Sequence, residues 1–461
     1  MNKGQTLELL GNYNQQYILD HYHRLSPEDK NNLLKELEGL DLALVFKLYK
    51  KFAQEKDISC PCGEIHPAPI ITIPATSREK ARQQEARILG ESLIRKNKVA
   101  VLIVAGGQGS RLGFEGPKGK FRISPVKQKS LFQLLAESVK ALTNRYQATI
   151  PLLIMTNQEN QQETQQFFAA NNFFNLDRKT LYFFNQGMLP TLTAEGQLIL
   201  KNDTQLLVNP DGHGGSLKAF FETGFLQHLI DHGFSELFYC QVDNPLVKIA
   251  DPVFIGYHRM EGAEISTKVV RRHDPVEKVG IYGLVNGKPT IIEYSDFRPE
   301  DYKALDEKGA ICHWAGNTAI HMISLAFVKR LNQHGYALPY HRAEKEVEGR
   351  GRDGRWAQMT GWKLETFVFD SIPLARKACG VEVIREEEFA PVKNRQGKDS
   401  PDTARAAMNA LHRSWLKEAD ARLAPEVQVE ISPLFALDRE ELVAKLQGQN
   451  LVLNRDRYID S

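Results

Sequence analysis

The run Val99-Ala100-Val101-Leu102-Ile103-Val104-Ala105 passes directly into Gly106-Gly107-Gln108-Gly109-Ser110-Arg111-Leu112-Gly113, and then into Gly116-Pro117-Lys118-Gly119-Lys120. A short apolar run rich in Val and Ile suits a strand buried on both faces, as in parallel sheets covered by helices. Glycines at its end permit a tight turn and let backbone N–H groups approach an anion. Arg111, Lys118 and Lys120 add positive charge there. The combination reads as a phosphate-handling loop. Its plainer reading is a surface turn with scattered basic residues.

Two common glycine loops do not fit. Gly107, Gly109 and Gly113 are spaced GxGxxxG, one residue off the dinucleotide fingerprint, and the next strand candidate ends in Met155-Thr156-Asn157 with no acid to hold a ribose. A Walker A loop needs Ser or Thr after its Gly-Lys, and here Gly119-Lys120 is followed by Phe121. Hydride transfer and P-loop ATPase chemistry are therefore poor matches.

The rest of the chain alternates strand and helix patterns. Residues 6–56 read as helical, with Ser26-Pro27-Glu28-Asp29 as a helix start and Leu33, Leu34, Leu37 and Leu40 at helical spacing. Residues 59–74, rich in Pro and Cys, read as an irregular connection, and helix returns at 78–96. Helices are expected at 130–146, 159–170 and 216–228, and strands at 147–155 and 238–242 with Asp243 at the tip. Residues 264–294, with Asn286-Gly287, read as an antiparallel excursion. Gly349–Gly354 reads as a charged loop, and Leu364–Phe369 and Val381–Arg385 as strands. A helix at 403–418, a strand in VQVEI and a helix at 438–446 suggest a small C-terminal unit. The expected class is α/β: a Rossmann-like core with a mixed, mostly parallel sheet. The expected division is a helical N-terminal region over 1–95, a catalytic domain over 96–400 and a small C-terminal domain over 401–461.

At 461 residues the chain is long enough for about three domains. Its 59 Lys and Arg against 57 Asp and Glu leave a net charge of only +2, which is no general nucleic-acid footprint. No stretch is apolar for as long as a membrane span needs, and the N-terminus lacks an apolar signal core. The five scattered cysteines, Cys60, Cys62, Cys240, Cys312 and Cys379, suit a reducing compartment, so a cytoplasmic location is expected. Cys60-Pro61-Cys62 with His66 resembles half a zinc site, but no other cysteine is near in sequence.

Further segments have both plain and functional readings. Asn185-Gln186-Gly187-Met188-Leu189-Pro190 is a turn whose Gln186 amide can both donate and accept, as reading a pyrimidine edge requires. Asn209-Pro210-Asp211-Gly212-His213-Gly214-Gly215 is a second glycine-rich turn. Asp243, in Gln241-Val242-Asp243-Asn244-Pro245, is either a cap or a carboxylate placed to hold a divalent cation against phosphates. Glu293 and Asn317, in Ile292-Glu293-Tyr294-Ser295 and Gly316-Asn317-Thr318-Ala319, are a solvated strand residue and a cap, or partners for sugar hydroxyls or an acetamido group. His321, four after Asn317, would share a helix face with it, with packing as the simpler role. Phe367 and Phe369 share one face of the alternating Lys363–Asp370 and would ordinarily be core, and Lys393 in Glu388-Phe389-Ala390-Pro391-Val392-Lys393-Asn394 would ordinarily be a surface lysine.

In order and spacing these motifs resemble the eukaryotic-type UDP-N-acetylglucosamine pyrophosphorylases, within the wider UDP-sugar pyrophosphorylase family. The resemblance runs from roughly residue 85 through 455; the first 80 residues match less clearly, and Cys60-Pro61-Cys62 is no part of the pattern. The family often has Thr where this chain has Ser110, and His213 stands at a variable position. The resemblance implies a nucleotidyltransferase joining UTP and N-acetyl-α-D-glucosamine 1-phosphate to give UDP-N-acetylglucosamine and pyrophosphate, with Mg2+ or Mn2+ as cofactor. It implies that Gly106, Gly107, Gly109, Gln186, Gly212 and Asp243 bind the nucleotide. Asp243 would also meet the metal, and Arg111, Lys118 and Lys393 would act on the phosphates. Gly280, Glu293, Asn317, Phe367 and Phe369 would bind the sugar phosphate. Closure over the substrates is expected, since these residues come from distant segments. The near alternative uses glucose 1-phosphate or several hexose 1-phosphates. The alternative of another class is a catalytically silent nucleotide-sugar binding protein, which would have little need of Arg111, Lys118, Asp243 and Lys393 together. No nucleic-acid or membrane partner is expected.

Overall fold

A computed structural model describes residues 2–54, 63–352 and 354–460. Cys60, Pro61 and Cys62 lie outside the described residues, and with them the half-zinc reading. The chain clusters into two compact units, each assembled from separate stretches of sequence.

One unit comprises Pro61–Asn185, Phe220–Tyr336 and Ser371–Ser461. Its centre is a mixed, mostly parallel sheet. From one edge the strands run Ile70–Ile71, Ala378–Glu382, Ile265–Arg271, Ala315–Ser324, Glu236–Gln241, Val99–Val104, Leu152–Thr156 and Leu181–Asn185. All neighbours in this order are parallel except at Ala315–Ser324, which is antiparallel to the strand on either side of it. Val99 through Ile103 are almost wholly buried, as their composition requires of a strand covered on both faces. The antiparallel excursion is the hairpin Ile281–Val285/Lys288–Ile292, turned at Asn286 and Gly287, both with positive φ.

Helices close the two faces, and their ends follow the sequence signals. Thr76 caps Ser77–Arg95 in a reciprocal bond with Glu79, and Ser130 caps Leu131–Tyr146. The strand expected at 147–155 begins only at Leu152, because Gln147 takes φ 51° to end the preceding helix. His321 lies on the Ala315–Ser324 strand rather than on a helix; it is fully buried and hydrogen-bonds Thr267 Oγ1 at 3.0 Å, so its role is packing. Toward the C-terminus, helix Pro401–Glu418 is followed by two short parallel strand pairs and helix Arg439–Leu446. These gather their own apolar cluster, including Trp415, Leu416, Val429, Leu442 and Ile459.

The other unit comprises Met1–Cys60, Gln186–Ala219 and Ala337–Asp370. Four helices, Lys3–Asn12, Gln16–Arg24, Pro27–Glu38 and Leu42–Gln54, open it. Ser26 Oγ accepts from Asp29 N, Pro27 takes the first helical position, and Leu33 and Leu37 face inward. These helices pack against an antiparallel hairpin, His341–Arg350 with Trp356–Glu365. Leu10, Ile18, Leu33, Val45 and Phe46 share a core with Leu192, Leu200, Trp362 and Leu364. The buried Gln15 amide stitches the joint, donating to Gly196 O at 2.8 Å and accepting from Leu198 N at 2.9 Å.

Candidate functional site

In the sheet-centred unit the glycine-rich loop leaves the carboxyl end of the Val99–Val104 strand. Asn157 Nδ2 donates to Gly106 O at 2.7 Å, and Asn160 Nδ2 to Ala105 O at 3.2 Å. These buried amides fix where the strand ends and the loop begins. Nothing in the sequence distinguished them from an ordinary turn. The loop then folds on itself: Gly109 N donates to Gly116 O, Lys118 N to Gly107 O, and Leu112 N and Phe114 N to Gly109 O. Buried Leu112 and the edge-on pair Phe114–Phe121 pin it from below. Among the described residues, the N–H groups of Gly106, Gly107, Gln108, Ser110 and Arg111 make no hydrogen bond within the chain. Backbone donors left open in a glycine-rich loop suit an anion. The Arg111 side chain is exposed beside them.

Asp243 lies just past the neighbouring Glu236–Gln241 strand, where Val242 N donates to Val104 O. Lys118 Nζ reaches Asp243 Oδ2 at 2.8 Å, with both side chains mostly buried. The structure therefore joins the cationic end of the loop to the carboxylate at the strand tip. Lys120 instead pairs with Glu163 at 2.6 Å. Lys393 is exposed one residue beyond Val392, whose N–H donates to Asp243 O at 2.9 Å.

Gly280, Glu293 and Asn317 also meet. Asn317 N donates to Gly280 O at 2.8 Å. A Cβ on Gly280 would stand 2.8 Å from Ile291 Cγ2 and 2.9 Å from Glu293 Oε1, so a side chain there would displace this carboxylate from its present position. Asn317 Oδ1 accepts from Ala319 N at 2.9 Å, a bond inside the strand that orients the amide.

In the helix-and-hairpin unit the structure brings Gly212 to the Phe367 segment. Thr366 N donates to Asp211 O at 2.8 Å, and Gly214 N to Thr366 O at 2.9 Å. Gly212 has φ 84°, and a Cβ there would lie 2.3 Å from Thr366 O. These bonds turn the chain away from the sheet: the strand ends at Glu365, so Phe367 and Phe369 do not lie on a strand as expected. They stack instead with ring centres 5.1 Å apart, and His213 packs 5.4 and 5.6 Å from them. His213 Nδ1 accepts from Val368 N, and burial pushes this imidazole down to about 4, which keeps it neutral. Its role is packing. His341 lies 4.8 Å from Phe367 and is held by Asp370 at 2.7 Å. Gln186 is buried beside Gly187, whose carbonyl accepts from Asp211 N.

A divalent cation fits Asp243 by its donor set. Among the described residues no three His, Cys, Asp or Glu side chains converge on a metal position. One carboxylate completed by substrate phosphates and water is, however, the ordinary way Mg2+ is held in phosphoryl chemistry. No helix of the described residues is long and apolar enough to cross a membrane.

Comparison with known proteins places this arrangement. The family model described as UTP–glucose-1-phosphate uridylyltransferase matches residues 43–446. The UDP-N-acetylglucosamine pyrophosphorylase of Saccharomyces cerevisiae is 35% identical over 449 residues, covering 94% of this chain and 92% of the yeast protein. The UDP-N-acetylhexosamine pyrophosphorylase-like protein 1 of Homo sapiens is 32% identical over 485 residues, covering 96% of this chain and 95% of the human protein. The crystal structure of a uridine diphosphate N-acetylglucosamine pyrophosphorylase from Trypanosoma brucei superposes with a TM-score of 0.82 at 26% identity, over 98% of this chain and 97% of that one. Matched along nearly its whole length in both sequence and fold, the chain belongs to the UDP-sugar pyrophosphorylase family of nucleotidyltransferases.

Proposed function

We propose that this chain transfers the uridylyl group of UTP to N-acetyl-α-D-glucosamine 1-phosphate, giving UDP-N-acetylglucosamine and pyrophosphate. The observation that carries the reading is the loop of free amides ending in the Lys118–Asp243 pair, in a chain whose full-length relatives bear N-acetylglucosamine and N-acetylhexosamine pyrophosphorylase names. An anionic oxygen of the sugar phosphate attacks the α-phosphorus of UTP. The bond from that phosphorus to the β-bridging oxygen breaks, and pyrophosphate leaves with the electron pair. No proton need move, so no general base is required. The task of the protein is alignment of two anions and relief of their repulsion.

Each group of residues has a part in that task. The amides of Gly106, Gly107, Gln108, Ser110 and Arg111, with the Arg111 and Lys118 side chains, hold the triphosphate as donors that need little reorganisation. Lys393 meets the incoming phosphate. Gln186 reads the uracil edge, and Gly212 lies against the base. Gly280, Glu293 and Asn317 take the sugar hydroxyls and acetamido group, and Phe367 and Phe369 shape the acetamido side. Asp243 would hold Mg2+, which when bound supplies positive charge against the α-phosphate and the departing pyrophosphate.

The test is pyrophosphate release from UTP and Mg2+ with N-acetylglucosamine, N-acetylgalactosamine, glucose and galactose 1-phosphates at matched concentration. Preference for N-acetylglucosamine 1-phosphate is expected. Preference for glucose 1-phosphate, or equal use of several sugars, would keep the chemistry and overturn the substrate. No release with any of the four by folded protein would favour the silent binding protein.

A further inference from the structure

Lys268 is a lysine with no exposed surface, in the middle of the sheet of the sheet-centred unit. It stands where the register against Ala315–Ser324 slips, between Thr267 and Val269. Its ammonium is held by two carboxylates: Asp251 Oδ2 at 2.8 Å and Glu388 Oε2 at 2.5 Å. Glu388 is also approached by Lys248 Nζ at 3.6 Å, and that same ammonium bonds Glu387 at 2.8 Å. Burial alone would lower the Lys268 pKa, but Asp251 and Glu388 outweigh it and raise it. Burial would raise Asp251, and Lys268 outweighs it in the other direction. Lys268 and Asp251 therefore both keep their charge. Such a cluster is a poor source of stability, because apolar side chains of similar volume commonly do as well. Its contribution is a single fixed place for Glu388.

With Glu388 held, the segment from 389 to 392 is held as well. Asn244, the residue after Asp243, donates from Nδ2 to Glu388 O at 2.7 Å and accepts from Ala390 N at 3.1 Å. Val392 N donates to Asp243 O at 2.9 Å. Residues 388–392 are thereby laced along the strand tip bearing Asp243, and the next residue is Lys393. On its other side, the Lys268 carbonyl accepts from Thr318 Oγ1 at 2.8 Å, one residue from Asn317. One buried lysine thus ties together the segments that carry Lys393 and Asn317.

We propose that Lys268, acting through Glu388, and Asn244 are positioning residues that hold Lys393 in register with Asp243. This rests on the proposed action of Lys393 on a phosphate. A displacement of about 1 Å at a reacting group costs on the order of 100-fold in rate, so a small slip of this arm is enough to be measured.

The experiment is a double-mutant cycle on the full chain, read by pyrophosphate release, with folding checked by circular dichroism. Lys268→Met and Asn244→Ala are each made alone and together with Lys393→Ala. Either single variant should lose about 10- to 100-fold in kcat. In the Lys393→Ala background the same change should cost less than about threefold, because the arm then has nothing to place. Full multiplication of the losses, or wild-type turnover in a folded Lys268→Met or Asn244→Ala protein, would overturn the proposal. If Lys268→Met does not fold, the Asn244→Ala cycle decides alone, since it leaves the ionic cluster intact. Unchanged turnover in Lys393→Ala by itself would instead overturn the role of Lys393, and this inference with it.

Discussion

The contact between Gly212 and Thr366 allows a prediction in energy and in activity. Alanine at 212 must adopt φ 84°, a left-handed conformation that costs an L-residue roughly 1–2 kcal/mol. Its Cβ would stand 2.3 Å from Thr366 O and 2.7 Å from Thr366 N. That is about 1 Å inside the ordinary carbon–oxygen approach of about 3.3 Å. The obstacle is backbone held on both sides, by Asp211 O and Gly214 N, so relief resembles overpacking at roughly 1–3 kcal/mol. Loss of glycine freedom in the unfolded chain returns roughly 0.4–1 kcal/mol. Gly212→Ala should therefore destabilise by about 2–4 kcal/mol. It should also shift Phe367, with a loss on the order of 100-fold in turnover if Thr366 moves about 1 Å. Gly224 is the control: φ is 78°, but nothing lies within 4 Å of its Cβ position. Gly224→Ala should cost about 0–1 kcal/mol and leave turnover unchanged. Urea unfolding followed by tryptophan fluorescence and circular dichroism gives the first quantity, and pyrophosphate release the second. Equal midpoints for the two variants, with full turnover in Gly212→Ala, would refute the reasoning.

Lys118→Met removes the cation bonded to Asp243 and should lower turnover by about 100-fold or more, as loss of one preorganised donor does elsewhere; turnover within threefold of wild type would remove Lys118 from the phosphate site. Ser26→Ala removes a cap and should cost about 1 kcal/mol by urea unfolding, with turnover unchanged. Burial holds both His213 and His412 down to about 4, whereas in the unfolded chain each takes a proton below the ordinary 6.5. The unfolded state then binds more protons, so stability should fall as the pH drops from about 6.5 toward 4, by about 1 kcal/mol per histidine at pH 5.5. His213→Gln should flatten that slope in urea midpoints measured from pH 7 to 5.5, and an unchanged slope would exclude His213 as a contributor.

The legible parts of the fold were those whose signals are local. Ser26-Pro27 marks a helix start in any context, Asn286-Gly287 marks a hairpin, and Val99–Val104 carries its burial in its composition. The His341–Arg350 strand was not legible. Its sequence, HRAEKEVEGR, is mostly polar and only slightly buried, and its pairing is set by Trp356–Glu365. Phe367 and Phe369 alternate as a strand would, yet the backbone bonds of Thr366, donating to Asp211 O and accepting from Gly214 N, bend them out of one. At the site, the glycine loop stood out by its residue types, whereas Asp243 read as readily as a cap and gained its role only from the family resemblance. Asn157, Asn160 and Asn244 did not stand out, because an amide that braces a backbone looks like any turn residue. Lys268 was invisible for a different reason: its carboxylates lie 17 residues before it and 120 after it.

The helix-and-hairpin unit is assembled from three stretches separated by long runs of the other unit. A ribosome therefore releases its four opening helices well before their partners exist. His341–Arg350 and Trp356–Glu365 emerge about 290 to 310 residues after Gln54, which at roughly 5–20 residues per second is a wait of about 15–60 s. For that interval Leu10, Ile18, Val45 and Phe46 have no hairpin to pack against. The nascent chain thus presents an apolar helical face early in synthesis. A message truncated before the codon for Trp362 would leave that face without the Trp362 and Leu364 that complete its core, making such fragments natural clients of chaperones and proteases.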